Sequence, residues 1–170
     1  MRSSSTIETA INKETPQLRF PEFDGEWNKV KLKSKIHFIY GYAFDSSKMI
    51  KSYGKYQIIK MSNVYDNKLQ LDRNPAFWNS TNKRTEKYLL KEKDIVLTMT
   101  GTVGKKDYGY SIIINENDSF LLNQRLVCLR AIDKVSNADF INNLIKTSRF
   151  YYLFFSSSKG GTGNQSNVGI

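Results

Sequence analysis

Three short segments carry residue types that could do chemistry. Gly101-Thr102-Val103-Gly104-Lys105 sets glycine amides beside a lysine, the groups that cradle the phosphates of a nucleotide. The spacing does not fit: the first glycine of a phosphate loop belongs where Met99 stands, and Lys106 replaces the hydroxyl residue that should follow the lysine. A turn between strands is left, either purely structural or placed near a nucleic acid. Asp66-Asn67-Lys68 is the acid-x-lysine triplet a metal-dependent nuclease would use, but no partner acid accompanies it, so turn chemistry is the reading. Ser62-Asn63-Val64-Tyr65 has the outline of an adenine methyltransferase segment, with Val64 where proline is needed. No glycine-rich fingerprint offers a place for S-adenosylmethionine. His37 is the single histidine and Cys128 the single cysteine, so neither a multi-histidine metal site nor an internal disulfide can form. No catalytic residue, metal or cofactor is expected.

What remains is recognition. Twenty-six Lys and Arg against sixteen Asp and Glu leave +10 at pH 7, a field that attracts polyanions and nucleic acid first among them. Between Lys29 and Lys60 eight lysines face one acid, Asp45, and alternate with Phe38, Tyr40, Tyr42, Phe44, Tyr53 and Tyr56. Such a patch either tracks a phosphate backbone with rings that stack, or is a solvated lysine surface over an aromatic core. Asn123-Gln124-Arg125 and Asn164-Gln165 add side chains that can bond adenine or guanine edges bidentately. No apolar run approaches the roughly twenty residues of a membrane span. Met1 to Thr15 lacks the apolar stretch of a secretory signal, so a cytoplasmic protein is expected.

The elements that must position these groups follow from periodicity. Met1 to Thr15 is polar and reads as a disordered tail, with folding from residue 16 to 170 as one domain. Leu18, Phe20, Phe23 and Trp27 around Pro21 and Gly25 favour an extended arm pinned by aromatics. Tyr56 to Val64 reads as a strand stopped by Ser62-Asn63, and Asn79 to Arg84 as a polar loop. Asp94 to Met99, Tyr108 to Ile114, Phe120 to Leu122 and Arg125 to Arg130 read as one antiparallel group, with Cys128 buried inside its strand. Asp139 to Thr147 turns helical, with Ala138, Ile141, Leu144 and Ile145 at helical spacing and Ser136 or Asn137 as cap, and Phe150 to Phe155 forms a second helix. The class is α+β, a twisted, mainly antiparallel sheet with packed helices.

Five motifs in order resemble the specificity (S) subunits of type I restriction-modification systems. They are Pro16-Gln17-Leu18-Arg19-Phe20-Pro21-Glu22-Phe23 with Gly25-Glu26-Trp27; Gly41-Tyr42-Ala43-Phe44; Asp94-Ile95-Val96 with Gly101 to Lys105; Leu122-Asn123-Gln124-Arg125; and Gly160-Gly161-Thr162-Gly163-Asn164-Gln165. The match runs from Pro16 to Ile170. It implies a noncatalytic target recognition domain, the first of two in a full subunit, that reads one half of a split double-stranded DNA target. Its implied partners are the methyltransferase (M) and restriction (R) subunits of a bacterial defence complex. The DNA contacts expected on these grounds are Lys48, Lys51, Lys55, Lys60, Asn63, Thr102, Lys105, Lys106, Gln124, Arg125, Lys159, Asn164 and Gln165. Gln124 and Arg125 sit in a family signature, so they either read bases or support the fold. Two other readings stay open: a single-stranded DNA or RNA binder, suggested by ten Tyr, ten Phe and two Trp, and a protein-interaction module with little DNA affinity alone.

Overall fold

The computed structural model describes residues 20–22, 28–102, 105–160 and 165–168. The chain divides into two compact units, Met1–Ser34 and Lys35–Ile170. In the first, Pro21 and Glu22 form a turn, and Leu32–Ser34 makes one 3-10 turn whose Ser34 N–H and hydroxyl both donate to the Lys31 carbonyl. Of the expected aromatic arm, Phe20 is exposed, while Leu18, Phe23 and Trp27 lie outside the described residues.

Among the described residues the second unit is built on three sheets and a two-stranded hairpin. The strands in chain order are β1 (Ile36–Tyr40), β2 (Tyr56–Ile59), β3 (Val64–Tyr65), β4 (Lys68–Leu69), β5 (Phe77–Trp78), β6 (Ile95–Thr98), β7 (Thr100–Thr102), β8 (Ser111–Ile113), β9 (Phe120–Leu122), β10 (Leu126–Ala131), β11 (Ser158–Gly160) and β12 (Gln165–Val168). Strands β1-β10-β6-β8 form an antiparallel sheet, β5-β2-β9 a second sheet, and β11-β12-β7 a third, small one. The α+β class holds, with one strand placed differently from the sequence expectation. Phe120–Leu122 does not join the antiparallel group; it runs parallel to β2 in the second sheet. All three of its residues are buried, so this edge strand of its sheet is covered on both faces.

Period-two alternation explains how that sheet divides two cores. Ile58 and Leu121 point into one cluster with Phe44, Tyr56 and Ala76, whereas their neighbours Ile59, Phe120 and Leu122 point into the other with Val96, Leu126 and Cys128. Cys128 is fully buried as expected, and burial pushes its thiol pKa well above the ordinary range, so it acts as a small hydrophobe.

The helices are α1 (Ala138–Ile145) and α2 (Ser148–Ser156). Asn137 caps α1 by accepting from the Phe140 N–H at 2.9 Å, and Thr147 caps α2 by accepting from Phe150 N–H. Helix α1 packs on β8 and β10 through Ala138, Ile141, Asn142 and Ile145. Leu144, placed by its spacing on the same stripe, is 42% exposed. Asn142 accepts from the Ser111 hydroxyl at 3.0 Å, and the Ser111 N–H donates to Asn67 at 2.9 Å, which ties α1 and β8 to the β3-β4 hairpin. That hairpin turns on Asp66-Asn67, both left-handed at φ 50 and 56, the geometry of a tight two-residue loop. The acid-x-lysine triplet is thus turn chemistry.

The central register is locked by charge. Asp94, 1% exposed, opens β6 and receives both arms of Arg130 from β10, Nε to Oδ1 and Nη2 to Oδ2, each at 2.7 Å. The Lys91 N–H adds a third bond at 2.7 Å, and Arg130 Nη2 also donates to the Leu89 carbonyl. A carboxylate this buried is tolerable only because every bond is made. Replacing Arg130 by Met should therefore cost about 3–5 kcal/mol of stability, because it strands the Asp94 charge. Urea unfolding measures it, and a loss under 1 kcal/mol would contradict the assignment.

Candidate nucleic-acid interface

Strand ends converge at one edge of the second unit. β2 and β9 run parallel, so Lys60 and Asn123 leave them side by side, with Asn123 N–H donating to the Ile59 carbonyl at 3.1 Å. On the other flank of β9, Tyr42 N–H donates to Leu122 O and Gln124 N–H donates to Tyr42 O. Gly41 N–H then reaches Leu126 O, and Met99 N–H reaches Arg125 O. The ends of β1, β2, β6 and β9 and the start of β10 therefore meet around Asn123-Gln124-Arg125.

Close approach explains two glycines. A Cβ at Gly41 would overlap the carbonyl of Asn123, so the Gly41-Tyr42 and Asn123-Gln124 motifs require each other. A Cβ at Gly101 would overlap the Tyr108 ring and the Asp107 carboxylate. Gln124 and Arg125 are exposed, and Arg125 is left-handed at φ 70, a conformation costly for a residue with a side chain. Asn123 Oδ1 is buried with no hydrogen-bond partner among the described residues, a second local cost. Strain and an orphaned acceptor at one loop mark a site held in place by its surroundings.

The Gly101 turn is clamped from behind. Thr102 donates its N–H at 2.8 Å and its hydroxyl at 2.7 Å to the two oxygens of Asp107. Burial raises the Asp107 pKa, but these two bonds, its own backbone N–H and the charge of Lys105 together outweigh it, and the net position lies below the ordinary carboxylate value. Thr102, Lys105 and Lys106 are exposed beside the clamp, with Lys106 Nζ 5.6 Å from the Phe155 ring centroid. Gln165 faces Thr102 across β12 and β7, and Lys159 faces Asn167 across β11 and β12; Asn164 lies outside the described residues. Gly101-Thr102 and Gln165 therefore share one sheet.

The other expected contacts separate. Lys55 precedes β2, at the opposite end from Lys60, with its N–H on Asn79 Oδ1 and its ammonium 4.9 Å from the Tyr56 ring centroid. Lys48 and Lys51 are exposed on the preceding loop, Lys48 lying 3.7 Å from Asp45. Lys60 is half-buried, and burial lowers its ammonium pKa. Asn63 is fully buried: its Oδ1 accepts from Lys60 N–H, and its Nδ2 donates to Gln70 O and Arg73 O at 2.9 and 2.8 Å. Its side chain closes the 60–73 loop and has no spare donor for a base. Arg84 was not among the expected contacts, yet its guanidinium lies 5.5 Å from the Tyr42 ring centroid. Its one signal in the sequence is an arginine closing a polar loop just ahead of Tyr88. A groove of about 500 Å3, lined by Lys106, Tyr108, Tyr110, Tyr151, Tyr152 and Phe155 among others, lies beyond Lys106. Among the described residues no group of three His, Cys, Asp or Glu could hold a metal ion, and no helix is long and apolar enough to cross a membrane.

The model of the type I restriction modification DNA specificity domain family matches residues 24–168. Among solved structures, the S subunit of a type I restriction-modification system from M. genitalium is similar at 16% identity and a TM-score of 0.56, over 85% of this chain and 31% of that one. A chain from work on complex assembly and conformational transition of the type I R-M system is similar at 13% identity and a TM-score of 0.52, over 80% of this chain and 30% of that one. At such identities the likeness is one of fold. The chain spans under a third of the length of these two structures. No curated protein matches it.

Two outcomes test the geometry. Gly41→Ala should destabilise by about 1–3 kcal/mol in urea unfolding, because backbone, not a flexible side chain, occupies the space; a neutral result would remove the Gly41–Asn123 contact. Because the folded pKa of Asp107 is depressed, the clamp is fully formed above its unfolded value and is lost as pH falls through the folded one. The Thr102 amide proton resonance should titrate with a midpoint below that of an ordinary aspartate, and in Asp107→Ala it should not titrate.

Proposed function

The chain belongs to the type I restriction-modification DNA specificity domain family, and from that premise we propose that residues 16–170 form a noncatalytic target recognition domain that reads one half of a split double-stranded DNA sequence. In this reading it directs the methyltransferase and restriction subunits of a cytoplasmic bacterial defence complex to their site. The observation that carries the proposal is the convergence around Asn123-Gln124-Arg125: strained backbone, exposed bidentate side chains and Lys60 on an adjoining strand end, with Thr102, Lys105 and Lys106 exposed on the segment that follows β6. Lysines supply phosphate contacts that position the duplex, and Gln124 and Arg125 supply base contacts that specify it. A +10 chain draws the polyanion in.

The Tyr-lined groove beside Lys106 supports a second reading, binding of a single strand by stacking. Competition separates the two: preference for single strands over every duplex sequence would favour the groove.

Duplex affinity of the full chain should fall by about tenfold or more between 50 and 200 mM salt, since each neutralised phosphate releases condensed counterions. Arg125→Gly relieves a left-handed residue, so stability should hold or rise by up to about 1 kcal/mol while discrimination between duplex sequences drops. Flat salt dependence, together with unchanged binding by Arg125→Gly, would sink the proposal.

A further inference from the structure

We propose that Arg84 is a specificity-determining residue whose guanidinium reads a guanine at one position of the target. The inference rests on the DNA-recognition reading above and deepens it.

Arg84 is held at both ends. Its backbone belongs to a turn closed on itself: Asn82 Oδ1 accepts from the N–H groups of Arg84 at 2.9 Å and Thr85 at 3.1 Å, and the Thr85 hydroxyl accepts from Asn82 N–H at 3.0 Å. Glu86 N–H adds a bond to Asn82 O at 2.8 Å, and Thr85 is 6% exposed, which anchors the turn to the body of the unit. At the far end the guanidinium rests over Tyr42, which is wedged between Phe44 at 4.9 Å and Tyr88 at 5.2 Å. Tyr42 is itself bonded by its backbone to Leu122 and Gln124. A long side chain that usually loses much rotamer entropy on binding is therefore already oriented beside the Asn123–Arg125 loop.

The chemistry of the exposed edge selects the ligand. A guanidinium over a ring still keeps N–H donors for another partner. Among the described residues the ion pairs join Asp45 to Lys48, Asp139 to Lys93 and Asp94 to Arg130, so no described carboxylate pairs with Arg84. Two parallel donors match guanine O6 and N7 in the major groove. A phosphate would accept them too, but neutralising a phosphate needs only a point charge, and the neighbouring Lys83 supplies that. Fixed orientation is what base reading requires.

Selection from a randomised duplex pool, followed by anisotropy with the full chain, tests this. In Arg84→Ala the preference for guanine should vanish at one position only, with roughly 10- to 100-fold weaker binding to the matched duplex and an unchanged melting temperature. Replacing that guanine by 7-deazaguanine should weaken the wild-type chain and leave Arg84→Ala unaffected. Equal weakening on every sequence would make Arg84 a phosphate clamp, and an unchanged selection would make it surface; either overturns the assignment. If the wild-type chain itself fails to discriminate among duplexes, the recognition reading falls and takes this inference with it.

Discussion

The buried Asp94–Arg130 pair is the constraint on which the rest of the second unit depends. A carboxylate at the start of β6 and a guanidinium near the end of β10 meet in only one alignment of the two strands. Sheet register is a two-fold matter: slipping by one residue would turn Val96 and Cys128 out of their cluster and bring the opposite faces in. The pair adds a cost to any such slip, because a shifted Arg130 would leave the carboxylate desolvated and alone. With Arg130 opposite Asp94, Leu126 falls opposite Thr98 and Arg125 beside Met99. The candidate interface is thus set from the far end of the same two strands.

Between those ends lies a division of labour. The β5-β2-β9 sheet fills both cores and carries no expected contact inside it, while its carboxyl ends deliver Lys60 and Asn123 to the same place. Parallel pairing does what a hairpin cannot, since strands joined by a hairpin send their ends in opposite directions. The third sheet brings Gly101-Thr102 and Gln165 together through β7 and β12. Side chains of different loops can therefore act on one ligand without being neighbours in the chain, as loops on a rigid scaffold commonly do.

Local physics was legible in the sequence, and long-range pairing was not. The cap at Asn137, the turn at Asp66-Asn67, the buried setting of Cys128 and the failure of the phosphate-loop spacing all follow from a few consecutive residues. The family resemblance was legible because motif order survives where overall identity does not. Phe120–Leu122 was misplaced because a short apolar run fits an antiparallel or a parallel strand equally, and its partner β2 is some sixty residues away. Asn63 reads as polar and therefore exposed; its burial depends on carbonyls at Gln70 and Arg73 that only the folded loop brings to it. Arg84 is one charge among many until Tyr42, on another strand end, gives it an orientation.

The pairing of β1 with β10 has a consequence for how the chain is made. Ile36–Tyr40 has β10 as its only sheet neighbour among the described strands, about ninety residues downstream. Synthesised at roughly 5–20 residues per second, β1 leaves the ribosome about 5 to 18 s before that neighbour exists. For that interval an apolar, aromatic segment has open edges that another nascent chain could pair with. Lys29, Lys31, Lys33 and Lys35 stand directly before it. Charged residues so placed are the kind of flank that discourages such pairing, and the benefit would fall to the unfinished chain instead of the finished fold.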